Sequence, residues 1–179
     1  FLHRNKWNRV LVMQIPVFVS VGSRLSSEQA QLRDHLYHLL REMSLDLRTV
    51  GTSDYPSDNP LREVSVLARH CAGALVLGFK EYHIESATRI NHADQDDVQE
   101  VLSGQSWSTS WNQIESGMCY ALGLPISIFK DDSVQGGVFD VGSTGLFVQR
   151  IPKLSEWDRD RAKISEVLWQ WRTQVQAKY

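Results

Sequence analysis

Apolar runs of strand length alternate with apolar stripes of helical spacing along this sequence, and that alternation constrains the fold more than any other feature. The predicted strands are residues 16–21, 45–50, 74–79, 126–129 and 146–150. The predicted helices begin at Ser26 or Ser27, at Pro60, at Ser110 and at Ser155. Strands that alternate with helices favour a parallel sheet covered on both faces. We therefore predict an α/β fold, a flavodoxin-like or Rossmann-like three-layer sandwich around a central, mostly parallel five-stranded sheet.

The size and composition of the chain exclude several classes of partner. Its 179 residues suit one domain over 1–179, and a first residue of Phe1 is compatible with a domain excised from a longer protein. Charged residues make up 22%, the net charge is -2 and the 19 Lys and Arg are scattered, so we expect no nucleic acid polymer as partner. No apolar run reaches the length of a membrane span and no secretory signal is visible, which predicts a cytoplasmic protein without a membrane partner.

The two cysteines and the histidines do not predict a metal site. Cys71 and Cys119 lie next to apolar residues, as is typical of buried free thiols in a reducing compartment. No cluster of His and Cys has the spacing of a zinc site. The polar segment 80–109 is predicted to be a long loop, either functional or disordered, in which 96–102 has the pattern of a short helix.

Ligands of open parallel sheets bind at the carboxyl ends of the strands, near the switch in strand order. Three segments are therefore expected to meet there, namely 20–24, 51–59 and 107–115. The first offers hydroxyls, an unhindered backbone and a guanidinium that could bind a phosphate, although it lacks the spacing of a Walker loop or a GxGxxG fingerprint. The predicted substrate-binding residues are Ser20, Gly22, Ser23, Arg24, Asp54, Trp107, Ser108 and Trp111.

Glu115 has an unusual position in the predicted helix that begins at Ser110. Ser110 and Gln113 have the spacing of a capping box. At 100° per residue an apolar stripe is expected to face the core, and Glu115 falls inside it; the stripe consists of Trp111, Ile114, Met118, Ala121 and Leu122. A buried carboxylate is costly unless it is paired or faces a cleft. Glu115 therefore either pairs locally, for example with Arg24, or points into the crevice.

A single carboxylate in a cleft lined by tryptophans suits cleavage of an N-glycosidic bond. That reaction develops positive charge on the ribose, so a nearby anion stabilises the transition state or bonds covalently to the sugar. One Glu is sufficient when the leaving base is already cationic, as nicotinamide is in NAD. We therefore predict a nucleotide N-glycosidase with Glu115 as the catalytic carboxylate and NAD as substrate rather than cofactor.

Three segments of the chain resemble the superfamily that joins Toll/interleukin-1 receptor (TIR) domains with nucleoside 2-deoxyribosyltransferases. They are PVFVSVGSR, NPLREVSVLARHCAGALVLGF and STSWNQIESGMCYALGLPISIF. TIR domains carry a Ser-x-x-Trp-Cys-x-x-Glu-like element whose Glu is catalytic in NAD-cleaving members. Ser108, Trp111 and Glu115 are arranged similarly, with Asn112 where the Cys commonly sits. IESGMCYALGLP is more similar to the corresponding segment of the deoxyribosyltransferases.

This resemblance implies NAD cleavage to an ADP-ribose-type or cyclic product, in bacterial antiphage defence, with regulation by self-association or by a fused domain. Two alternatives stay open. One is deoxyribosyl transfer between bases with the same Glu as nucleophile. The other is a sensor or assembly module that binds a nucleotide without turnover.

Overall fold

The computed structural model describes residues 13–51, 59–89, 100–102, 104–142 and 146–179. In chain order its elements are β1 (Ile15–Val21), α1 (Ser27–Glu42), β2 (Leu45–Arg48), α2 (Pro60–Arg69), β3 (Gly73–Gly78), β4 (Tyr82–Ile84), β5 (Ala87–Arg89), β6 (Glu100–Leu102), β7 (Gln105–Trp107), α3 (Ser110–Ala121), β8 (Ile126–Lys130), β9 (Val148–Arg150) and α4 (Trp157–Lys178). Short 3-10 turns at Gly137–Phe139 and Leu154–Glu156 complete the set.

The central sheet confirms the predicted fold class. Its five strands lie in the order β2-β1-β3-β8-β9, and every neighbouring pair is parallel. This is the flavodoxin-like order, in which the chain switches direction across the sheet between β1 and β3. The ends of these two strands therefore border the crevice where a ligand is expected.

Two apolar layers enclose the sheet because successive side chains of a strand point to opposite faces. Val17 and Val19 of β1 pack in the layer formed with α1 and α4. Phe18, between them, packs in the layer formed with α2 and α3. Cys71 and Cys119 are buried free thiols in this second layer, as predicted. Within the described residues, no helix combines the length and apolar character of a membrane span.

The first two helices begin where the sequence predicts, at Ser27 and at Pro60. Ser26 caps α1, and Ser26 and Gln29 form a reciprocal capping box. The side chain of Asn59 accepts the backbone N–H of Arg62 at 3.3 Å, and Pro60 occupies the first position of α2. These caps fix where the two helices leave the carboxyl ends of β1 and β2.

The prediction of a short helix over 96–102 is wrong where the structure describes that segment. Residues 100–102 form β6, which pairs antiparallel with β5, while 96–99 lie outside the described residues. β4 and β7 make a second antiparallel pair. A polar stretch without clear periodicity did not reveal these short strands, because they pair with each other rather than with the apolar sheet.

Candidate active site

The N-cap residue of α3 lies one position earlier than the sequence predicts. The hydroxyl of Thr109, not that of Ser110, accepts the backbone N–H of Trp111 at 3.2 Å. Gln113 makes no capping box. Its Nε2 donates to the carbonyl of Gly136 at 3.0 Å and its Oε1 accepts the N–H of Val138 at 3.0 Å. The predicted capping box is wrong because the Gln113 side chain binds the loop that follows β8.

The prediction that the apolar stripe of α3 faces the core is wrong for part of the stripe, because only Met118 and Leu122 pack against the core. Trp111 is 42% exposed and Ile114 is 43% exposed. The buried residues of the helix are Asn112, Ser116 and Cys119. α3 therefore packs on β1 and β3 through a face of mixed polar and apolar residues, and Glu115 borders that face.

Hydrogen bonds explain why the polar face is the buried one. The Oγ of Ser116 donates to the carbonyl of Asn112 at 2.5 Å, within the helix. The Nδ2 of Asn112 donates to the Oγ of Ser20, on β1, at 2.7 Å. Asn112 and Ser20 are each 1% exposed. This bond joins the first turn of α3 to the last residues of β1, the strand that ends at the crevice.

Ser20 connects this anchor to Glu115. A hydrogen-bonding interaction with the Ser20 hydroxyl lowers the pKa of the Glu115 carboxyl group. The Ser20 oxygen accepts a hydrogen bond from Asn112, and its own proton is available to the carboxylate. The Oδ1 of Asn112 has no hydrogen-bond partner within the described part of the chain. Asn112, which the sequence analysis did not select, is thus a positioning residue for Ser20 and, through it, for Glu115.

Glu115 is a carboxyl group without a basic partner. Burial raises its pKa to about 7, and the hydrogen bond from Ser20 opposes part of that rise. Among the described residues neither Arg24 nor another basic side chain forms an ion pair with it. Burial, and next the nearby Glu115, raise the pKa of the Cys119 thiol to about 12. Cys119 is therefore an inert thiol rather than a nucleophile.

The carboxyl group of Glu115 lines a cavity at the exit of β1. The cavity has a volume of about 180 Å³, and its wall includes Gly22, Ser23 and Trp111 together with Glu115. Val50, Pro60 and Val64 close the side toward α2. Ser20 lies buried in β1, two residues before Gly22, and its hydroxyl lowers the pKa of the carboxyl group. Five of the nine predicted site residues are thus gathered around one hollow.

The other predicted residues lie elsewhere. Arg24 is exposed and does not line this cavity, and Asp54 lies outside the described residues. Trp107 and Ser108 line a different and larger cavity. Glu81, which was not predicted, places its Oε2 3.8 Å from the point that a Cβ on Gly22 would occupy. The sequence signal that could have identified Glu81 was its position shortly after β3, because β3 ends beside β1.

In comparison with known proteins, no protein-family model matches the sequence, and no curated protein matches it significantly.

Proposed function

We propose that this protein is a nucleotide N-glycosidase that breaks the bond between nicotinamide and ribose in NAD. The observation that carries the proposal is Glu115, a partly buried residue that lines a cavity and whose carboxyl group has no basic partner among the described residues. A structural role would favour a compensating charge, because an unpaired buried carboxylate costs stability. Such groups are characteristic of sites where the charge acts on a ligand.

The chemistry requires only one carboxylate. The C1′–N bond breaks and its electron pair passes to the pyridinium nitrogen, so nicotinamide leaves as a neutral molecule without a general acid. The ribose C1′ becomes positively charged and is stabilised by Glu115 or bonds to it covalently. Water then adds to C1′ and loses a proton, giving ADP-ribose. Attack by a nitrogen of the adenine instead gives a cyclic product.

The surroundings of Glu115 suit this role. A carboxylate that is poorly solvated stabilises a nearby cation more strongly than one in water. Ser20, which the buried hydrogen bond from Asn112 fixes in place, interacts with the carboxylate, so little reorganisation is needed during the reaction. The ring of Trp111 borders the same cavity and is half exposed, which allows it to stack on nicotinamide.

The raised pKa favours one alternative enzyme. A carboxyl group with a pKa of about 7 keeps its proton in about half of the molecules at neutral pH. In that form it can protonate a neutral leaving base, as deoxyribosyl transfer between bases requires. Exchange of the base of a 2′-deoxynucleoside for a second free base would identify this activity.

Release of nicotinamide from NAD, followed by chromatography at low and high protein concentration, tests the proposal. The wild type is expected to release nicotinamide, and Glu115→Gln to reduce the rate by roughly a hundredfold or more. Glu166→Gln is the matched control, because Glu166 is an exposed carboxylate on α4. Equal rates for wild type and Glu115→Gln would refute the assignment. Saturable binding of NAD without release at any concentration would favour a sensor or assembly module.

A further inference from the structure

A second cavity lies on the other side of the first turn of α3. Its volume is about 460 Å³, within the roughly 300–1,000 Å³ typical of small-molecule sites. The hollow at Glu115 is smaller, at about 180 Å³. A dinucleotide therefore needs binding surface beyond the Glu115 hollow.

The walls of the larger cavity are fixed by hydrogen bonds and packing. Gln113 binds the backbone of Gly136 and Val138 and so joins α3 to the loop after β8. Phe139, at the end of that loop, is fully buried. Its ring occupies the space that a Cβ on Gly78 would need. The cavity is thus a built part of the fold.

The polar side chains of this cavity are available to a ligand. Side chains of β7 alternate, so Gln105 and Trp107 line the cavity while Ser106 between them is buried. Trp107 is 46% exposed. Within the described residues, the side-chain amides of Gln105 and Gln135 make no hydrogen bond. The site combines an aromatic surface with amides that can donate and accept.

Its charge distribution disfavours a phosphate group inside the cavity. Among the described residues that line it there is no Lys or Arg, and the one charged residue among them is Asp140. The Oδ1 of Asp140 accepts the N–H of Gly136 at 2.7 Å. An uncharged ligand with an aromatic ring and hydrogen-bonding edges suits this lining best.

We propose that this cavity binds an uncharged nucleoside moiety whose base stacks on Trp107 and whose edge is bound by the amides of Gln105 and Gln135. Stacking on aromatic side chains is a general means of holding a base, and Gln can bind the edge of adenine with both atoms of its amide.

The position of the cavity relates it to Glu115. Ser108 and Ser110 line the larger cavity, whereas Thr109 and Trp111 line the Glu115 hollow. Consecutive Cα atoms are about 3.8 Å apart, so the two cavities flank one turn of chain. This step rests on the proposed function. If that function holds, the larger cavity receives the adenosine half of NAD. The diphosphate then crosses the N-terminal end of α3, which favours negative charge.

Binding of adenosine and of NAD to Glu115→Gln, measured by NMR titration, tests this site without turnover. Trp107→Leu, added to the Glu115→Gln variant, is expected to weaken the binding of both ligands roughly tenfold. Gln135→Ala is expected to weaken them severalfold. Trp169→Leu is the matched control, because Trp169 is 47% exposed on α4, and it should leave binding unchanged.

The outcomes separate this site from the catalytic proposal. If adenosine binds and Trp107→Leu weakens this binding, the result supports the site even if no nicotinamide is ever released. Absence of adenosine binding, or affinities that Trp107→Leu leaves unchanged, overturns the site whatever the wild type does to NAD. In the active protein, Trp107→Leu should raise the KM for NAD while leaving the KM for nicotinamide riboside unchanged. An equal rise for both substrates would also overturn it.

Discussion

Glu115→Gln should stabilise the protein at neutral and alkaline pH while removing its activity. Burial raises the pKa of Glu115 from 4.5 to about 7. Because the pKa is higher in the folded state, the folded chain binds more protons between these values, and its free energy of unfolding falls as pH rises through that range. At about 1.4 kcal/mol per pKa unit, the loss reaches roughly 3 kcal/mol. Gln is neutral at every pH and does not incur it.

Urea unfolding at about pH 5 and about pH 8 gives the free energy of unfolding of variant and wild type. The difference between the two proteins is taken at each pH, so that the contributions of other titrating groups cancel. The stability of Glu115→Gln relative to wild type should increase by roughly 2.5 kcal/mol between the two conditions, because a small part of the loss already occurs below pH 5. Glu166→Gln should show no such change, because Glu166 is exposed. A difference for Glu115→Gln that is the same at both pH values would refute the account of a buried, unpaired carboxyl group.

Two further predictions follow from the contacts of β1 and β3. Ser20→Ala removes the hydrogen bond that lowers the pKa of Glu115, so the pH midpoint of activity should move upward; Ser127→Ala, at an equally buried serine on β8, should leave it in place. Gly78→Ala should lower the free energy of unfolding by about 1–3 kcal/mol, since its methyl group overlaps the buried Phe139 ring. Gly22→Ala should cost far less in urea unfolding, because a Cβ there meets only contacts of 3.8 Å. Equal losses for the two glycine variants would contradict the packing described.

The sheet could be predicted from the sequence because its strands are buried on both faces. Every residue of β3 is buried, so the strand appears as one continuous apolar run. The helix caps at Ser26 and Asn59 were equally predictable, since each depends on residues within one turn. Local patterns therefore sufficed wherever local interactions or complete burial determine the structure.

α3 shows why the details of the site were harder to predict. Periodicity locates an apolar stripe but does not say whether it faces the core, and here Trp111 and Ile114 face solvent. The buried face is selected by the bond from Asn112 to Ser20, which joins residues 92 positions apart. Gln113 likewise binds a loop 23 to 25 positions away. Such long-range polar contacts leave no mark in hydropathy.

The dependence of nicotinamide release on pH tests the central claim most directly. In the proposed reaction the carboxylate of Glu115 is the reactive form, and burial raises the pKa of this group to about 7. The kcat/KM of the wild type for NAD should therefore rise with pH as one proton is lost, with a midpoint near 7, and level off above it. A profile that is flat through neutral pH, or that falls as pH rises, would contradict the claim that an ionised Glu115 acts on the ribose.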